Sequence, residues 1–351
     1  MKPLNKKLSP GNIKRGLSSF LYKSGIIRYL LKIQSFYQKK NKNPFRILFY
    51  HRINDYKDPF SIDSVSTRDF DDQMKYVSQS YNVLSLEEIY HCIKKDKKLP
   101  DQCIAITFDD GYEDNYTNAY QILKKYDLPA TIFLTVDCID TQTPLWFDRI
   151  LHAFKTTQEK KIIPPWDEKI IEIETTDQKL HAAHLVLEQL KKTDNDQRIK
   201  LISVILNDLG NTSNMKINKN AMILNWSQVR EMGHHKISFG SHTMTHPILT
   251  NISGSQLQWE LATSRKIIEE QTGHPVYFIA YPNGQSSDYD EQVIRLVRQN
   301  GYKAAMTTAA ISNNKFTDFY TWARYKPWQN QVEHFATSLF IHGLSGQVQQ
   351  S

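Results

Sequence analysis

From Pro44 onward, short apolar runs alternate with stretches of helical period. "RILFY" (46–50), "CIAITF" (103–108), "ATIFLT" (130–135), "ISFGS" (237–241), "VYFIAYP" (276–282) and "KAAMTT" (303–308) are brief, nearly continuous and rich in β-branched and aromatic residues. Such runs predict buried strands. Between them, Asn115–Tyr126, Ser255–Gln271 and Asp288–Gln299 carry apolar residues at helical spacing. The alternation predicts a parallel α/β sheet or barrel, whose functional residues gather at the carboxyl ends of the strands. Residues of about 140–222 break the pattern, with helical stretches such as "QKLHAAHLVLEQLKK", no strand pattern and no chemical motif. They predict a helical insert that could cap the site. His181 and His184 lie one helical turn apart there without a third ligand in view, which predicts a solvated face.

Residues 1–43 have a different pattern. Ile13, Leu17, Phe20, Ile27 and Leu31 fall at helical spacing with Lys and Arg between them, and Ser9-Pro10 predicts the helix start. Arg28 and Lys32 interrupt the apolar residues, so no run approaches the roughly 18 needed to span a bilayer. There is no cleavable signal-peptide core either. The chain therefore reads as a basic amphipathic segment, 1–43, and a body, 44–345, interrupted by the insert. The segment is expected to lie on an anionic membrane surface or to pack on the body. Together these features favour the membrane periphery or the cell envelope as the expected location.

Charge sharpens this division. The net charge of +7 arises from nine Lys and two Arg, with no Asp or Glu, in residues 1–43; that local +11 leaves −4 for the rest. That distribution argues against a nucleic-acid-binding body. The hydrophobic content of 40% over 351 residues supports one large core or two ordinary ones. A mean hydropathy of −0.53 argues against a multi-span membrane protein. Cys92, Cys103 and Cys138 are odd in number and form no close pair, so neither a disulfide framework nor a zinc ribbon is indicated.

The candidate chemistry begins where the strand 103–108 runs into Asp109, Asp110 and Gly111. Adjacent carboxylates at a buried strand end repel unless something positive compensates them. A helix cap needs only one Asp, and an EF-hand would place its glycine sixth rather than third. "GSHTMTHP" (240–247) supplies the complement: on a helical turn, His242 and His246 would share a face and point at one ion. One Asp and two His make the three protein ligands of an open catalytic metal site. The other Asp can then take a proton from the attacking water.

"TFDDG" followed by "SHTMTHP" resembles the polysaccharide deacetylase family, carbohydrate esterase family 4 with its NodB homology domain. The likeness covers most of the chain from Pro44 to about Arg324, apart from the insert. It implies a distorted (β/α) barrel and metal-dependent removal of N- or O-acetyl groups from an envelope polysaccharide or glycolipid. By motif position Asp109 matches the family's base, and Asp110, His242 and His246 its metal triad. Zinc is the default ion, with cobalt, nickel or iron fitting the same ligands. Where the family commonly has an Arg-x-Pro motif, "IAYPNG" carries Ala280, and Arg324 in "WARYKP" is the candidate replacement. For the general acid, His342 in "FIHGL" superficially matches the usual motif. His51, ending the first strand in "LFYHRI", is favoured because a strand-end site is better positioned, an arrangement similar to permuted poly-N-acetylglucosamine deacetylases. The expected substrate-binding set is Tyr112, through its backbone N–H, with Tyr281, Pro282 and Arg324. Tyr281, Trp322 and Trp328 could stack on sugars, although core packing is the commoner task of such residues. A carbohydrate-binding protein without turnover and an amidase acting on a non-sugar amide are the competing readings.

Overall fold

The computed structural model describes residues 10–38, 43–62, 64–141, 143–210, 222–327 and 331–345. Six parallel strands form the frame: β1 (Phe45–Tyr50), β2 (Cys103–Phe108), β3 (Ala130–Leu134), β4 (Ile237–Ser241), β5 (Phe278–Ala280) and β6 (Ala304–Met306), paired in that order. A two-residue strand, Asn82–Val83, pairs with the lower half of β2. The two sheet edges do not stay open. Residues 322–325 bridge them, Trp322 pairing with Met306 of β6 and Tyr325 with Leu48 of β1. Tyr325 N–H donates to Ile47, and Phe49 N–H donates to the Tyr325 carbonyl at 3.1 Å. The sheet thus curls into the barrel that the strand–helix alternation predicts.

Strand alternation sorts the core. Phe45, Ile47, Cys103, Ala105, Phe133, Phe278, Ala280, Ala304, Met306 and Trp322 form one buried cluster, filling the barrel interior and its lower end. Their neighbours Leu48, Tyr50, Ile104, Ile106, Ile132, Leu134, Ile279 and Ala305 belong to a second cluster beneath the surrounding helices. Trp322 is fully buried against Phe45 and Phe278, so it packs the core rather than facing a ligand. Trp328 lies outside the described residues.

The insert has its own core. Helices Trp146–Thr156, Thr176–Lys192 and Asn195–Asp208 bury Ile150, Phe154, Ala182, Val186 and Ile205 together. A two-stranded antiparallel hairpin, Lys161–Ile162 with Ile171–Glu172, sits among them, although the sequence shows no strand pattern there. Its pairing involves two residues per strand, too few for a period to register. His181 and His184 are exposed, as a solvated face requires.

The N-terminal segment forms two helices rather than one. Pro10–Lys23 and Ile26–Gln38 are separated at Ser24-Gly25, where Gly25 has φ +75°. The break divides the apolar residues. Ile27 and Leu31 are 2% and 3% exposed in the body's core, while Leu17 and Phe20 are 57% and 62% exposed. Ser9 and residues 39–42 lie outside the described set.

Candidate active site

The inward positions of β2 continue past its last residue. Ala105 and Thr107 face the interior, and Asp109 follows them into the barrel mouth. On the closing segment Trp322 faces inward and Arg324 follows. The two side chains meet: Arg324 donates from Nη1 to Asp109 Oδ1 at 2.6 Å and from Nη2 to Oδ2 at 2.7 Å. Both are almost wholly buried. The guanidinium also donates from Nε to the Thr307 carbonyl, and it lies 4.5 Å from the Phe49 ring centroid. Burial alone would raise the Asp109 carboxyl. Arg324, then His242 and His51, instead hold it well below the ordinary range, so it is ionised.

Asp110 turns away from its neighbour because the backbone leaves the strand. Asp110 and Gly111 both lie in the left-handed region, at φ +72° and +79°. A side chain at 111 would meet Leu134 Cδ2 at 2.9 Å, so glycine is required there. Asp110 Oδ1 then sits 3.5 Å from His242 Nε2 and 3.5 Å from His246 Nε2.

The two histidines do not share a helical turn, contrary to the expectation from their spacing. Residues 242–246 form a loop with Thr243 and His246 at φ +70° and +56°, and the imidazoles meet 4.8 Å apart at 76°. That loop is pinned from beneath. Buried Glu260 accepts from Met244 N–H, Thr245 N–H and the Thr245 hydroxyl. From the insert, Trp146 Nε1 and Arg198 Nη1 donate to the His246 carbonyl at 3.2 and 3.4 Å. Sequence reading missed Glu260, Trp146 and Arg198, since none belongs to a local motif.

Three observations test whether a metal fits. The ligand atoms of Asp110, His242 and His246 lie within 4.8 Å of one another. Asp110 Oδ1 is buried without a hydrogen-bond partner among the described residues. His242 Nδ1 pairs with the Ala280 carbonyl at 2.8 Å, which sets the tautomer that leaves Nε2 a lone pair facing the cluster. Burial, then the charges of Asp109 and Asp148, raise Asp110 well above the carboxylate range, while burial first lowers both histidines. A divalent cation would offset the penalty on the Asp110 carboxylate, and the lowered histidines are already in the neutral form that binds a metal. The residues fit the metal.

Around this centre lies a cavity of about 640 Å³, lined by His51, Asp109, Asp110, His242, His246, Tyr281 and Arg324 among others. His51 is half-buried there. Burial above all holds its imidazole down at about 3, so it is neutral at rest. His342 is not among the lining residues; it is buried on the last helix, Val332–Ser345, with its ring 4.7 Å from Tyr325. Tyr112 does not line the cavity by its side chain, whose hydroxyl donates to Asp148 at 2.7 Å. Its backbone N–H has no acceptor among the described residues. Tyr281 stacks on Tyr289 at 4.6 Å, and buried Pro282 is not among the lining residues.

Comparison with known proteins gives the family and the fold. YxkH of Bacillus subtilis, named for a polysaccharide deacetylase, is 26% identical over 263 residues, 75% of this chain and 63% of that protein. The poly-β-1,6-N-acetyl-D-glucosamine N-deacetylase of Staphylococcus aureus is 33% identical over 119 residues, 34% of this chain and 38% of that protein. The match thus spans less than two thirds of the length of either relative. The deacetylase PplD of Streptococcus pyogenes, solved with acetate, superposes with a TM-score of 0.54 at 21% identity, over 82% of this chain and 93% of that one. IcaB from Ammonifex degensii gives 0.55 at 16% identity, over 84% and 97%. These two structures share the fold, and the polysaccharide deacetylase model matches residues 96–305. The chain belongs to the polysaccharide deacetylase family.

Proposed function

We propose that this protein is a metal-dependent deacetylase that hydrolyses the acetamide of an N-acetylated glycan or glycolipid of the cell envelope. The observation that carries the reading is the pairing of Asp109 with Arg324 beside the Asp110–His242–His246 cluster at one cavity. Asp110, His242 and His246 would hold one divalent ion, zinc by default for this donor set. Such an ion supplies Lewis acidity, polarising the acetyl carbonyl and acidifying water. Asp109, ionised and oriented by the Arg324 fork, accepts the proton of the attacking water. The free N–H of Tyr112 is the candidate donor to the oxyanion. His51 delivers a proton to the departing amine. Because His51 is neutral at rest, the proton that Asp109 takes from water has to pass on to His51 before the C–N bond breaks, which returns Asp109 to its carboxylate. Retention of the base and its arginine favours turnover over carbohydrate binding alone, and Arg324 acts on the base rather than on substrate.

The same reading gives residues 1–43 peripheral contact with anionic lipid, through Leu17 and Phe20 and the segment's positive charge. Among the described residues, no helix is long and apolar enough to cross a membrane.

Elemental analysis of the purified protein and of His246→Ala, combined with acetate release from N-acetylated glycans, tests the reading. One divalent ion per chain, most of it lost in His246→Ala together with turnover, is expected. Equal metal content in both proteins would overturn the assignment.

A further inference from the structure

The cavity has two unlike halves, and the fold explains why. Asn283, Gln285, Thr308 and Lys326 enter it from the segments after β5, after β6 and after the barrel closure. These are neighbours around the barrel, and they make one polar side. The apolar lining comes from other segments: Phe147, Leu151 and Leu187 from the insert, Ile248 just beyond the histidine loop, and Ile62. Ile62 follows β1, but its loop is carried to the insert: Phe60 packs in the insert's core, and Lys155 pairs with Asp58 at 2.6 Å. The one charged residue on this apolar side, Lys191, is ion-paired with Glu188 at 2.8 Å.

The apolar side is mainly aliphatic. The cavity's other aromatic rings are committed elsewhere: Phe49 beneath Arg324, Trp146 against Arg198, Tyr281 on Tyr289 and Tyr325 on His342. Sugar rings are held by flat aromatic faces together with convergent hydrogen-bonding groups. Half-buried Leu151, Leu187 and Ile62 side chains beside a polar wall offer a hydrocarbon the contact that a second sugar would not need.

We infer that the substrate is an amphiphile, an acetamido sugar joined to a hydrocarbon chain, with the sugar on the Asn283–Thr308 side and the chain against Leu151, Leu187 and Ile62. This deepens the deacetylase reading and rests on it. The basic segment with its exposed Leu17 and Phe20 suits an enzyme that meets such a substrate at a lipid surface.

The test uses the full-length, metal-loaded protein and β-glycosides of N-acetylglucosamine and N-acetylgalactosamine with methyl, butyl and octyl aglycones, below their micelle-forming concentrations. N-acetylglucosamine oligomers serve as the comparison. Each methylene buried against the wall should raise kcat/KM roughly fourfold until the wall is covered, so octyl should exceed methyl by at least about tenfold. Leu151→Asn combined with Leu187→Asn should bring the octyl-to-methyl ratio towards one. A flat chain-length series, a ratio unchanged in the double variant, or faster turnover of the oligomers would overturn this inference and leave the deacetylase reading standing. No turnover of any acetamido sugar would overturn both. The wild-type series decides the question even if the double variant fails to fold.

Discussion

Replacing Arg324 with Met removes the positive half of a pair whose two side chains are almost wholly buried. The Asp109 carboxylate would then sit in the barrel mouth without either of its two bonds from Arg324, at 2.6 and 2.7 Å. Breaking a buried pair by deleting one partner costs about 3–5 kcal/mol, because the surviving charge stays buried. The lost bond to the Thr307 carbonyl and the lost contact with Phe49 act in the same direction. Asp109→Asn creates the mirror problem, an unpaired guanidinium. The double variant removes both charges, so its loss should fall short of the sum of the two single losses by about 2–3 kcal/mol. Urea unfolding of the four proteins in chelator measures this coupling without any contribution from bound metal. Arg324→Lys should lie between wild type and Arg324→Met, since an ammonium keeps the charge but cannot form the two-pronged contact. In metal-loaded protein, Arg324→Met should also slow deacetylation about 10²–10⁴-fold, the range associated with a misplaced general base. Stability losses that simply add would refute the reasoning, because the pair would then contribute nothing as a pair.

Three further outcomes are expected. Burial raises Asp148 to about 6 from an ordinary 3.8, so its contribution to stability is full below the unfolded value and lost as pH rises through the folded one. Asp148→Asn keeps an acceptor for Tyr112 and should therefore gain stability between pH 4 and 6, reaching at most about 3 kcal/mol above that window; thermal melts showing a gain independent of pH would contradict this. His51→Ala should retain metal and lose far more activity on an amide than on an activated acetyl ester, whose leaving group departs without a proton; equal losses in both assays would remove His51 from the role of acid. Leu17→Asp with Phe20→Asp should weaken binding to anionic vesicles while leaving urea stability near wild type, since both side chains are exposed; unchanged co-sedimentation at low salt would rule out lipid contact through these residues. Deleting residues 1–43 is a poorer test, because Ile27 and Leu31 belong to the core and their removal should destabilise the body.

Much of the barrel is legible in the chain because parallel strands covered on both faces read as nearly continuous apolar runs. "CIAITF" and "ISFGS" are strands at their full predicted length, and the other four runs lose only end residues or gain one. The closing segment escapes such reading. Residues 322–325 pair through isolated bridges on each side, and "WARY" has no strand pattern. The same holds at the site. Asp109–Asp110 and His242–His246 stand out as compact motifs, whereas Arg324 reaches a partner 215 positions away, and Glu260 supports the histidine loop from the middle of the helix Gly254–Thr272. The spacing of His242 and His246 suggested a helical turn, yet four-residue spacing fixes a face only if the backbone is helical. Here left-handed residues bring the rings together instead.

The two adjacent aspartates acquire separate surroundings from backbone geometry. Asp109 keeps the alternation of β2 and so faces the interior, where the matching alternation of the closing segment delivers Arg324. Asp110 leaves that alternation through a left-handed turn and faces the two histidines. Left-handed backbone at Asp110, Thr243 and His246 is costly, of order 1–2 kcal/mol for each such residue. It persists because neighbouring bonds fix it: Glu260 takes three donors from the histidine loop, Trp146 and Arg198 hold the His246 carbonyl, and glycine follows Asp110. The insert therefore does two things at once. It holds the His246 carbonyl through Trp146 and Arg198, and it presents Phe147, Leu151 and Leu187 to the cavity. If the proposed function holds, a single element that both braces the histidine loop and lines the cavity would tie substrate choice to the integrity of the metal centre.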